Sequence, residues 1–131
     1  MGELQPEDFG LNTWLVNRFD AVARKDLEVN EIVLYAEHIS KEYADLIVLG
    51  VTAIVRTREN IIEVVFQRTI SGTMFVNENS LGIVTLPLDK PIKLREHDRL
   101  IITISMTAWI ARPIPLPAIV VALRGESKER E

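Results

Sequence analysis

The sequence predicts an all-β protein, an antiparallel, jelly-roll-like β-sandwich of seven or eight strands with an N-terminal arm or short helix. Three observations support this fold class. Apolar and polar residues alternate along several stretches after residue 27, turn-forming residues separate these stretches about every ten residues, and no amphipathic helices lie between them to connect parallel strands. The predicted units are an arm or short helix over residues 1–26, a sandwich over 27–126 and a charged tail over 127–131.

Two periodicities compete over residues 11–23. Leu11 and Phe19 lie on one helical stripe with Trp14 beside it, whereas Trp14 and Val16 also suit an alternating strand. We favour a short helix, or an arm that docks on an apolar surface, over the strand.

The remaining elements are predicted from period-two patterning and its interruptions. The clearest strand covers residues 100–108, where Ile102 and Ile104 alternate with hydroxyl side chains, as expected of a half-buried strand. Residues 58–60 have the composition of a hairpin turn, and Pro87 is expected to end the strand that contains it. The predicted strands cover residues 27–35, 46–57, 62–67, 74–76, 82–88, 100–108 and 118–123.

Composition and charge exclude several classes of protein. The chain has no cysteine, which removes disulfides, thiolate zinc sites and cysteine nucleophiles. Its net charge is -4, and basic residues are interleaved with acidic ones over residues 93–99, so we expect no nucleic-acid partner. The acidic start is unlike a signal peptide, and no stretch is apolar enough for a membrane span. We therefore expect a virion or cytoplasmic location.

Catalytic and metal-binding patterns are missing from the sequence. The two histidines, His38 and His97, are far apart and form no His-x-His pair. No nucleophile elbow or phosphate-binding glycine loop is present. The sequence does not exclude a pair of carboxylates such as glycosidases use, because any two strands can bring two acidic residues together. We predict that the protein is not an enzyme and binds no metal or cofactor.

A proline-rich apolar loop over residues 109–117 is the least expected segment. Proline at alternate positions holds the backbone extended and removes hydrogen-bond donors, which excludes a central strand. The loop either folds over the end of its own sandwich, or is covered by another subunit, or offers Trp109 to a carbohydrate. The predicted interface residues in this loop are Trp109, Ile110, Pro113, Ile114, Pro115 and Leu116.

The order of these features resembles small β-sandwich proteins of virions. The opening strand over residues 27–32, the step from Leu88 to Ile102 and the closing strand that ends near Glu126 carry this resemblance. His97 stands where such folds often have a glycine before the acidic turn residue. The resemblance is to capsid decoration or cement proteins and to fibre heads of tailed phages. It implies a homo-oligomer, often a trimer, that clamps a larger protein lattice.

We therefore predict a structural assembly protein whose partners are other copies of itself and a larger assembly such as a viral capsid. The N-terminal residues Leu11, Trp14 and Phe19 are predicted to act as interface anchors, together with the proline-rich loop. The alternative is a non-catalytic carbohydrate-binding module. The absence of cysteine and the ion-rich turns are also typical of proteins from thermophiles.

Overall fold

The predicted antiparallel β-sandwich is confirmed. The computed structural model describes residues 12–37, 39, 41–76, 82–108 and 118–127, with side chains from Asn17 onward. A 3₁₀ turn (Ala44–Leu46) precedes β3, and a one-turn helix, α1 (Thr73–Val76), follows β4. The strands are β1 (Asn12–Val22), β2 (Leu27–Glu37), β3 (Ile47–Arg56), β4 (Ile62–Ser71), β5 (Ile83–Leu94), β6 (Arg99–Ala108) and β7 (Ala118–Ser127).

The strands form two antiparallel sheets with nested pairing. One sheet has the order β1-β6-β3-β4 and the other β5-β2-β7. Strand β3 pairs with β4, β2 with β5, and β1 with β6, as if one long hairpin had been wound into a sandwich. This is the winding of a jelly roll, which in its full form has eight strands. Among the described residues, the strand that would precede β1 is missing, and β7 has a neighbour on one side only.

The core lies between the sheets and follows from the alternation in the sequence. In β3 every second residue from Ile47 to Val55 is buried, and in β6 the same holds from Leu100 to Ala108. Leu49 and Ile104 have no exposed surface. Burying one such side chain contributes about 1.5–3 kcal/mol to stability. These two strands therefore hold the centre of the larger sheet.

The N-terminal helix prediction is wrong for the described residues. Residues 12–22 form β1, which pairs with β6, so the sandwich includes these residues and is not confined to the chain after residue 27. A bulge between Leu15 and Asn17 inserts one residue and breaks the alternation. After the bulge, Phe19 is half-buried while Arg18 and Asp20 are exposed. The mixed periodicity of the sequence therefore comes from an irregular strand.

Two further expectations need correction. Residues 74–76 belong to α1, where Phe75 is buried and the N–H of Phe75 donates to the carbonyl of Gly72. Strand β5 does not end at Pro87 but continues to Leu94 through Pro91. Among the described strands β5 pairs with β2 alone, so it is an edge strand and the missing proline N–H groups can face away from the ladder. The predicted hairpin turn at residues 58–60 is confirmed.

Candidate interaction surfaces

The predicted interface residues are only partly described. Leu11 and the loop residues 109–117, including Trp109, Ile110, Pro113, Ile114, Pro115 and Leu116, lie outside the described residues. Trp14 belongs to β1, where its backbone pairs with Met106. Phe19 is half-buried and packs against the core of its own chain.

The described strands nevertheless fix where these segments leave the sandwich. Asn12 pairs with Ala108, and Ala108 also pairs with Ile47. Glu37 pairs with Ala118 at the corresponding end of the other sheet. Residues 1–11 and 109–117 therefore leave the same end of the sandwich, which we call the upper end. The lower end carries the turns at residues 23–26, 57–61 and 95–98.

Near the upper end, a row of exposed apolar side chains crosses the outer face of the three-stranded sheet. Tyr35 pairs with Ile83 on one side and with Val120 on the other, so the three side chains stand next to each other. They are 38%, 39% and 59% exposed, respectively. We call these three residues the outer apolar row. Leu46 and Met74, at the same end, are exposed as well.

The sequence contains a signal for this row in two apolar runs that lack alternation. Residues 32–35 and 118–123 are apolar without alternation, which is typical of strands covered on both faces. The other sheet covers the inner face, with Ile32 and Leu34 buried there, and Val33 on the outer face is buried as well. The outer apolar row is therefore a part of the outer face that stays exposed.

The lower end is closed by hydrogen-bonded turns. The N–H of His97 donates to the carbonyl of Ala23 at 2.8 Å, and the N–H of Ala23 donates to the carbonyl of Asp98 at 2.8 Å. The buried carboxylate of Asp98 accepts from the N–H of Arg95 at 2.9 Å. His97 has a φ of 78°, in the left-handed region. The position therefore has the backbone that a glycine adopts without strain.

An open groove of about 950 Å³ lies at the lower end, between the β3–β4 hairpin and the segment that joins β5 to β6. Apolar lining comes from Val55 and Ile92, and charged lining of both signs includes Glu63, Lys93 and Glu96. In the described part of the chain, no group of three or more histidine, aspartate or glutamate side chains could hold a metal ion. No helix among the described residues is long and apolar enough to cross a membrane.

The fold and these surfaces define the class of the protein as an antiparallel β-sandwich with jelly-roll winding and an apolar outer face. Comparison with protein-family models, with curated proteins and with solved structures finds no match to this chain. Sandwich folds serve many unrelated functions, so the function of this chain has to be inferred from the surfaces described above.

Proposed function

We propose that this protein is a structural assembly subunit that associates with copies of itself and docks on a larger protein assembly, a viral capsid. The outer apolar row is the observation that carries the proposal. When a second surface covers adjacent large apolar side chains on a folded sheet, it removes them from water. Each Å² of apolar surface buried in this way stabilises the complex by about 25 cal/mol. Contiguous exposed apolar surface of this kind marks protein–protein contact sites.

Two further features support the proposal. The outer apolar row lies at the upper end, where β1 begins, β6 ends and β7 begins, so the two segments that hold most of the predicted anchors join the sandwich at this end. Jelly-roll winding is common in capsid proteins, although lectin domains share it. The virion resemblance of the sequence thus agrees with the winding, and the row of Tyr35, Ile83 and Val120 supplies the contact surface.

A charge placed in the outer apolar row tests this proposal. Val120→Glu is expected to weaken association at least about tenfold, because a buried unpaired carboxylate is costly, while the exposed side chain leaves folding intact. Light scattering measures mass alone and after mixing with candidate capsids, and the melting temperature reports folding. Val22→Glu, at a 47% exposed position near the lower end, is the matched control.

An unchanged mass and unchanged capsid binding in Val120→Glu would contradict the role of the row. A carbohydrate-binding module predicts a different result, namely a monomer whose tryptophan fluorescence shifts when sugar is added.

A further inference from the structure

Strand β4 is one of the two edges of the four-stranded sheet, and its first half is exposed on both faces. The register with β3 places Glu63 on the inner face beside Val55, and Val64 on the outer face beside Ile54. Ile62 and Val64 are 65% and 57% exposed, and Glu63 is exposed as well. No strand in the described part of the chain pairs with this side of β4. The edge therefore presents unpaired main-chain groups next to apolar side chains.

A bulge sets the phase of β4. Val65 and Phe66 together lie opposite Ala53, and both pack against the core, so the two residues occupy one step of the strand. Counted in such steps, Glu63 lies as far before the bulge as Arg68 lies after it. Both side chains are on the inner face of the sheet and both are exposed.

The edge is complementary to itself. A two-fold axis through the bulge, perpendicular to the sheet, runs a second β4 antiparallel to the first. This operation puts Glu63 of each copy opposite Arg68 of the other on the inner face. On the outer face it puts Val64 opposite Gln67. Within the described residues neither Glu63 nor Arg68 has an ion-pair partner, so both charges are available to a second copy.

We infer that the occupant of this edge is a second copy of the chain, paired through β4 about the bulge. The two four-stranded sheets become one continuous sheet with two Glu63–Arg68 ion pairs across the junction. Bulges and inward-pointing charges on edge strands normally prevent pairing. Here the two charges on β4 are complementary to those of a second β4. They therefore disfavour pairing with other strands and favour pairing with a second copy of β4. The inference rests on the proposed function, names the surface by which copies meet, and gives a dimer where the virion resemblance implies a trimer.

Charge reversal tests the junction with the full-length protein. Sedimentation equilibrium over a concentration series gives the dimer dissociation constant. Glu63→Arg or Arg68→Glu alone replaces two attractions by two repulsions, so we expect the constant to rise about tenfold or more. The double variant Glu63→Arg/Arg68→Glu restores opposite charges and is expected to return near the wild-type value. Glu126→Arg, on the distant edge strand β7, is the matched control and should change nothing.

Cysteine pairing tests the register independently, because the chain has no native cysteine. A Val64→Cys protein mixed with a Gln67→Cys protein is expected to form disulfides mainly between unlike chains, since these positions face each other across the axis. Random pairing of like and unlike chains would overturn the register.

The outcomes separate this inference from the proposed function. If the protein self-associates and its mass is the same in the wild type, both single reversals and the double variant, the β4 junction is overturned. The proposed assembly role is not affected by that result. A protein that stays monomeric at all concentrations and binds no capsid overturns both.

Discussion

Single residues in left-handed backbone conformations decide how the lower end is built. Asn60 has a φ of 65° in the β3–β4 hairpin, and its Oδ1 accepts from Nε of Arg56 at 3.1 Å and from a terminal nitrogen of the same guanidinium at 2.9 Å. His97 has a φ of 78° in the turn before β6. Asparagine and histidine occur in this region more often than other side chains do, but only glycine adopts it without a steric cost.

Replacing His97 by glycine is expected to stabilise the protein. His97→Gly removes left-handed strain of about 1–2 kcal/mol, partly offset by the greater chain entropy of glycine, for a net gain of about 0.5–1 kcal/mol. It loses an exposed contact with Glu96 at 3.5 Å. The melting temperature should rise by about 2–5 °C in calorimetry. Asn60→Gly is the control, and it should show no gain because the contacts with Arg56 are lost. A lower melting temperature for His97→Gly would show that this turn is not strained.

At the scale of elements, a bulge in β2 brings two backbones unusually close. The register shifts between Val29 and Glu31 in both ladders of β2, opposite Gly125 of β7. A Cβ atom built on Gly125 would overlap the carbonyl oxygen of Glu28. The glycine thus permits the central strand of the smaller sheet to bulge without losing its neighbour.

A methyl group at this position should be poorly tolerated. Gly125→Ala forces β7 away from β2 and is expected to cost about 2 kcal/mol or more, measured by urea unfolding. Gly50→Ala in β3 is the matched control, because its Cβ would meet the hydroxyl of Ser105 at 3.0 Å and that side chain can rotate. Equal stabilities of the two variants would contradict the close approach at the bulge.

The elements that the sequence predicted well are those with uninterrupted alternation, namely β3 and β6. Strand β1 was missed because its bulge adds a residue between Leu15 and Asn17, and such an insertion is not visible as a period. The end of β5 was missed because Pro87 is compatible with a strand only at a sheet edge, and edge position is a property of the whole fold.

At the scale of the molecule, the candidate surfaces, like the irregular strands, depend on properties of the whole fold that the sequence pattern does not show. Apolar runs in the sequence identify strands with apolar side chains on both faces. They do not show which of the two faces stays exposed after the chain has folded. The outer apolar row combines Tyr35, Ile83 and Val120 from three strands, and only the register brings them together. The complementarity of Glu63 and Arg68 likewise appears once the bulge in β4 is known.

Truncation at the N-terminus separates the predicted arm from the sandwich. Deleting residues 1–10 leaves β1 (Asn12–Val22) whole, so we expect the melting temperature to be preserved. If this segment anchors neighbouring copies, the mass by light scattering should fall. Deleting residues 1–22 also removes β1 and exposes the edge of β6, and this variant should unfold or aggregate. An unchanged mass for the shorter deletion would contradict the arm.

The nested pairing also has a consequence for synthesis on the ribosome. Among the described strands, β1, β2 and β3 make no ladder with one another, since each is bordered by strands from β4 onward. The hairpin of β3 and β4 is the first ladder that can close while translation proceeds. At typical elongation rates, β1 and β2 then wait several seconds for their partners. Nascent chains should therefore depend on chaperones until β6 and β7 have emerged.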